Sequence, residues 1–171
     1  MIETKAKPIQ ELLHLNEILK AEIFRPKPDG YADQPDETVC VNDLITNLGR
    51  IHIAARLTTD ADATANSLMS HMAVGTVATA AALTNSLVTG EVARNALSTY
   101  SAANNLISAV STFGGAADSV TSLSLVEAGI FNHATSGTGI MMQRVTFAAV
   151  ILANSDILKL TLETNVGSND I

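Results

Sequence analysis

From Leu68 onward the chain reads as short apolar runs separated by turn residues, several of them alternating with period two. Leu68, Ser70, Met72 and Val74 alternate against Met69, His71 and Ala73 and stop at Gly75. Further runs cover residues 91–100, 106–113, 120–131, 140–151 and 157–166. The last is the clearest: Leu158, Leu160 and Leu162 point one way, and Lys159, Thr161 and Glu163 the other. Ala102-Ala103-Asn104, Gly114-Gly115, Ser136-Gly137-Thr138-Gly139 and Asn154-Ser155-Asp156 supply the turns between them. Strands at this spacing predict a mainly β chain, a sandwich or a barrel, and the form expected is an antiparallel, jelly-roll-like β-sandwich. Val77-Ala78-Thr79-Ala80-Ala81-Ala82 has no such period and reads as loop or helical turn.

The N-terminal third follows another rhythm. After Pro8, a good first helical residue, Ile9, Leu12, Leu13, Leu15, Ile18, Leu19 and Ile23 keep helical spacing. This predicts a short amphipathic helix, packed either on its own domain or on another chain. Residues 25–35 hold Pro26, Pro28 and Pro35 and read as an extended connector. A second helix is expected from Asn42 or Asp43, either able to cap its first turn, with Leu44, Leu48, Ile51 and Ala55 on one face. All four prolines fall in the first 35 residues. The expected organisation is therefore an N-terminal arm, residues 1–41, with a short helix and a proline-rich connector. A lead-in helix and the sandwich follow over residues 42–171.

Composition adds a constraint. Charged residues are only 16% of the chain, the net charge is −7 and mean hydropathy is +0.25. Disorder would need the opposite balance, and a basic nucleic-acid footprint is missing. Most of the basic charge sits early: residues 58–171 hold only Arg94, Arg144 and Lys159. The uncharged stretches 63–90 and 95–117 carry too many Asn, Ser, Thr and His residues to read as membrane spans. The N-terminus lacks the form of a signal peptide. No membrane and no nucleic-acid partner is expected, and the apolar excess calls for a protein partner.

Enzymatic signatures do not emerge. No phosphate-binding Gly-rich loop, dinucleotide fingerprint or nucleophile elbow occurs. His14, His52, His71 and His133 are scattered away from metal-ligand spacing, and His71 suits a half-buried strand position. Asp60-x-Asp62 offers too few oxygens for calcium, and Cys40, between Val39 and Val41, reads as a buried, inert thiol. The expectation is a non-enzyme with no cofactor, no metal and no catalytic residues. Glu91, Arg94, Glu127 and Arg144 stand as isolated charges inside apolar runs. A Glu/Arg pair can serve chemistry, but structural ion pairs that fix strand register are the commoner outcome.

These segments also carry a resemblance. Ala73-Val74-Gly75-Thr76 is followed by Leu87-Val88-Thr89-Gly90-Glu91-Val92-Ala93-Arg94 and by Val126-Glu127-Ala128-Gly129-Ile130-Phe131-Asn132. Gly137-Thr138-Gly139-Ile140-Met141-Met142-Gln143-Arg144-Val145-Thr146-Phe147 and Ser155-Asp156-Ile157-Leu158-Lys159-Leu160-Thr161 complete the order. With Asn42, Gly49-Arg50 and Ala54-Ala55-Arg56-Leu57 ahead of them, they resemble small structural proteins of tailed-bacteriophage virions over about residues 42–165. Residues 1–41 lie outside the resemblance. It implies a virion β-sandwich and does not by itself choose head or tail; the leading expectation places the chain, made in the host cytoplasm, on the outer capsid surface. The function expected on this basis is capsid decoration (cement), with the major capsid protein and copies of itself, as a trimer, for partners. A short tail or head fibre, a host-attachment module and a glycan-binding sandwich are the alternatives. Under the decoration reading, Ile9, Leu12, Leu13, Ile18, Leu19 and Ile23, with Phe24 and Tyr31 as accessory anchors, are expected at the capsid or subunit interface.

Overall fold

The computed structural model describes residues 14–58, 68–115 and 118–167. In chain order the elements are β1 (His14–Phe24), β2 (Pro26–Lys27), β3 (Gly30–Tyr31), β4 (Glu37–Asn42), β5 (Leu44–Ile45) and α1 (Asn47–Thr58). Then come β6 (His71–Gly75), β7 (Glu91–Ala96), β8 (Thr99–Ala103), β9 (Leu106–Gly114), β10 (Ser124–Phe131), β11 (Met141–Ile151) and β12 (Ile157–Gly167). The chain is mainly β, and every strand pairing is antiparallel. One sheet runs β4-β1-β12-β9-β8, the other β5-β11-β10-β6-β7, and β2-β3 is a separate ribbon.

Both sheets feed one core. Leu19 and Ile23 of β1, Phe113 of β9 and Leu158, Leu160 and Leu162 of β12 cluster with Met72, Val74, Leu125, Ile130, Val145 and Phe147 from the second sheet. The alternation read in residues 157–166 is the pleat of β12, with its leucines buried and Lys159 turned outward. Polar bonds also tie the sheets together, among them Gln143 Nε2 donating to Thr164 Oγ1 at 2.6 Å, both side chains buried. The chain changes sheet at two tight corners. Asp43 alone separates β4 from β5, and Leu97-Ser98 separate β7 from β8.

The N-terminal helix expected around residues 9–23 is corrected over its described part: residues 14–24 are β1. This strand lies inside the first sheet, paired with β12 along its whole length and with β4 on its other side. Leu19, Ala21 and Ile23 obey a period of two and are buried. Two neighbours disguise it, because Glu17 faces inward while Ile18 faces out at 40% exposure. The strand is set by β12, far along the chain, and such a partner outweighs local propensity. Thus the segment read as an arm contributes β1 to β4.

α1 is the second helix expected from the spacing, but its cap is Thr46 rather than Asn42 or Asp43. Thr46 Oγ1 accepts from Gly49 N at 3.0 Å and donates to the carbonyl of Met141. Asn42 ends β4 and Asp43 makes the corner. Gly49 lets α1 lie directly on β11: a Cβ there would fall 2.1 Å from the Met142 carbonyl oxygen. Cys40, expected to be buried, is exposed on β4.

Burial decides between a core strand and an interface stripe. Leu19→Ala is expected to lower unfolding free energy by about 2–5 kcal/mol in urea titration. Ile18→Thr, on the solvent side of the same strand, is expected to change it by less than about 1 kcal/mol.

Candidate functional site

The second sheet turns one face to the core and the other to two connections, residues 76–90 and 132–140. Pleating puts Glu127 of β10 and Arg144 of β11 on that outer face, two register positions apart on the diagonal. There they form an ion pair, with Arg144 Nη2 2.7 Å and Nε 3.0 Å from Glu127 Oε2, both side chains fully buried. Two buried charges are tolerable only when their remaining hydrogen-bonding capacity is met, and the loop meets it. Glu127 Oε1 accepts from Gly90 N at 2.9 Å and Val77 N at 3.4 Å, and Oε2 accepts from Thr89 N at 3.2 Å. Arg144 donates to the Thr79 carbonyl at 2.9 Å and to Asn85 Oδ1 at 3.0 Å.

The pair is thus a clamp holding residues 76–90 against the sheet. Gly75 makes room for it, since a Cβ there would lie 2.5 Å from Glu127 Oε1. Val88 fills the remaining space in a small second cluster with Ala73, Phe131 and Met141. The loop is also tied to α1 by Asn47 N, which donates to the Leu83 carbonyl. Its outer side, including Ala78, Ala80, Ala82, Leu83 and Leu87, is exposed and carries no charge.

Glu91 and Arg94 form the second of the pairings. Arg94 bonds both Glu91 carboxylate oxygens, at 2.8 and 2.7 Å, and stacks over Phe131 with 3.6 Å to the ring centroid. Its Nη1 donates to the carbonyls of His133 and Thr138, so it holds the 132–140 loop as Arg144 holds 76–90. His133 Nδ1 bonds Thr138 Oγ1 at 2.7 Å within that loop. His71 bonds Ser70 Oγ, and burial, Arg94 and His133 hold its pKa below the usual histidine value. Among the described residues no cluster of three potential metal ligands occurs, and no helix is long and apolar enough to cross a membrane. Asp60 and Asp62 lie outside the described residues.

The residues expected at an interface separate into groups. Leu19 and Ile23 are corrected: they belong to the chain's own core, 0% and 3% exposed, and offer nothing to a partner. Ile18 and Tyr31 are exposed and Phe24 is partly buried, while Ile9, Leu12 and Leu13 lie outside the described residues. Tyr31 Oη donates to the Ser155 carbonyl, fastening the β2-β3 ribbon to the turn before β12. Asn85, Thr79 and Thr46 escaped the sequence reading because nothing local distinguishes them from ordinary loop residues.

A carboxylate pair that the sequence did not suggest sits at the corner between sheets. Glu17 accepts from Ile45 N at 3.1 Å and Asp43 from Leu44 N, while Asp43 Oδ2 is buried without a hydrogen-bond partner. Burial pushes Glu17 up to about 7 even though Ile45 N–H and Arg50 oppose it. Burial, helped by the Glu17 charge, pushes Asp43 up to about 8.

Two measurements follow from these polar groups. Arg144→Met leaves Glu127 buried and uncompensated, and should cost about 3–5 kcal/mol in urea unfolding. Adding Glu127→Gln should recover part of that loss, and protease should cut within residues 76–90 faster in the single variant. At the corner, the folded chain holds protons between about pH 4 and pH 8 that the unfolded chain has released. Stability should therefore be greater at pH 5 and fall as pH rises through 7 and 8. Asp43→Asn should flatten that decline and raise the melting midpoint at pH 8.

Comparisons with protein-family models, curated proteins and solved structures find no match to this chain.

Proposed function

We propose that this chain is a capsid decoration protein of a tailed bacteriophage. In this reading its two sheets form a β-sandwich that sits on the outer head surface and bridges neighbouring major capsid proteins. The observation that carries the proposal is the clamped 76–90 connection. Fifteen consecutive uncharged residues, 76–90, are held on the sheet by two fully buried charges, and they present alanine, leucine and threonine side chains to solvent. A loop kept in place at the cost of desolvating an ion pair suits a rigid contact surface. The pieces that carry the phage resemblance support the same reading, because residues 73–76, 87–94, 126–132 and 137–147 meet at this clamp.

The contact is interfacial rather than chemical. Glu127 and Arg144 use their hydrogen-bonding capacity within the chain. A lasting protein contact buries about 1,200–2,000 Å² in total, more than one loop supplies, so α1 with exposed Leu48 and Ile51 would share the footprint. Several copies on one lattice would add avidity to modest single contacts.

Removing residues 1–35 would delete β1 from inside the first sheet, so the contact is better tested by substitution. Mixed with empty heads of the phage that encodes it, the intact chain should co-sediment to a saturating stoichiometry. Leu83→Asp with Leu87→Asp should weaken that binding at least about tenfold while leaving the unfolding midpoint nearly unchanged. Binding to host cells or glycans with no binding to heads would overturn the proposal in favour of an attachment module.

A further inference from the structure

The next inward-facing pair beyond Leu19 and Leu162 on the first sheet is polar: Glu17 stands opposite Thr164. Gln143 of the second sheet, 0% exposed, reaches across and donates its Nε2 to Thr164 Oγ1. Ile45 is the cross-strand partner of Gln143, and its N–H donates to Glu17 Oε2 at 3.1 Å. Asp43 completes the group from the corner. Its N–H donates to the Glu17 carbonyl at 3.1 Å, and its Oδ1 accepts from Leu44 N. Two carboxyls, an amide and a hydroxyl are thus gathered between the sheets where β1, β12, β11 and the β4–β5 corner meet.

This cluster is rich in acceptors and poor in donors. Asp43 Oδ2 and Gln143 Oε1 are both buried, and neither has a hydrogen-bond partner. Buried polar atoms left in that state are rare and costly. Among the described residues no ion pair includes Glu17 or Asp43. On α1, Arg50 is exposed and acts on Glu17 through its charge, and His52 is buried. Lys20, Glu22, Lys159 and Glu163 occupy the solvent side of β1 and β12, and Arg144 the outer face of β11. A proton on either carboxyl supplies what is missing, because a neutral acid donates where a carboxylate only accepts. Burial already favours the neutral form of both groups.

We infer that Glu17 and Asp43 form a proton-held latch: the closed corner keeps a proton among these buried oxygens, and its release parts the β4–β5 corner from β1. The proton leaves to solvent, and the carboxylates left behind repel each other in a cluster that has no donor for them. The corner is built to move, since Asp43 alone links β4 to β5 and β5 has only two residues. Its movement has a short path outward. Ile45 leads to Thr46, which caps α1 through Gly49 N, and then to Asn47, whose N–H holds the Leu83 carbonyl at 2.8 Å. Opening the latch therefore loosens the start of α1 and one tie of the 76–90 connection. A metal ion is the other occupant that oxygens suit. The two unpartnered oxygens and the Glu17 carboxyl fall short of the roughly six to eight ligands that calcium takes, so the proton is favoured.

The latch does not rest on the proposed function; only its consequence, proton control of the face held to meet a shell, does. It is measured on the chain alone, so it can fail or hold independently of head binding. Hydrogen exchange of the full chain, corrected for the intrinsic rate at each pH, reads the corner directly. From about pH 6 to about pH 9, the amides of Ile45, Asn47 and Gly49 should lose nearly all protection, a fall of at least about tenfold. Ala109 and Leu160, in the core, should stay protected. Glu17→Gln with Asp43→Asn cannot ionise and should keep the corner amides protected at about pH 9. Asp43→Asn alone should shrink the fall, a reading that stands if the double variant fails to fold. Four results would overturn the latch. They are retained protection in the unaltered chain at about pH 9, a loss shared by Ala109 and Leu160, an equal fall in the folded variants, or protection restored there by millimolar calcium or magnesium, the last in favour of a bound metal ion.

Discussion

The Glu127–Arg144 pair is the interaction on which the outer face of the second sheet depends. Without a partner either charge would be intolerable where it sits, since desolvation of a single buried ion costs several kcal/mol. Together they become a rigid polar post, and the backbone of residues 77, 79, 89 and 90 closes around it. The consequence runs outward from chemistry to shape. A 15-residue connection with no regular structure would ordinarily be mobile, yet here its two ends and its middle are fastened to neighbouring strands. Arg94 repeats the device on the 132–140 connection, with Phe131 as the apolar floor beneath it. Loop presentation in this fold thus rests on two arginines rising from sheet strands.

Much of this was legible in the sequence, for a physical reason. Strands with one face in the core alternate, so the runs at 106–113, 140–151 and 157–166 appear as β9, β11 and β12 with little change at their ends. The isolated Glu and Arg residues stood out because a charge in an apolar run needs a partner, and the pairing follows from the pleat. What stayed hidden depended on distant partners. β1 carries an inward Glu17 and an outward Ile18, which spoil its alternation, and only β12 reveals the strand. The 91–100 run is broken into β7 and β8 by a corner that changes sheet, a turn that Leu97-Ser98 does not advertise. Thr79 joins the clamp through its carbonyl and Asn85 through Oδ1, both placed by the path of the loop, which no residue pattern encodes.

Low charge acquires a specific meaning once the pairs are placed. Lys20, Arg25, Lys27, Arg94, Arg144 and Lys159 all lie in ion pairs. Glu22 sits between Lys20 and Lys159, and hydrogen bonding to Lys20 holds its carboxyl below the usual range. Basic groups are thus committed to holding strands, corners and loops. Surfaces such as the 76–90 loop and the β8-β9 hairpin are left without either sign of charge.

Neutral surfaces on an acidic chain are not equivalent to a chain that is neutral throughout. Where charge is spread evenly, like molecules repel from every direction and only a strong specific contact overcomes it. Among the described residues the ion pairs lie largely along β1, β12, β4 and the β7 edge, while the exposed side of the 76–90 loop and the β8-β9 hairpin carry no charged side chain of their own. Orientation then follows from where charge is absent, before any contact forms. The clamped loop offers exposed alanine, leucine and threonine side chains on a fixed backbone, which suits a broad protein surface. On the proposed reading, a neutral loop held rigidly by buried charge is the kind of face that would meet a shell, because its shape is set before contact and little order is left to impose on binding.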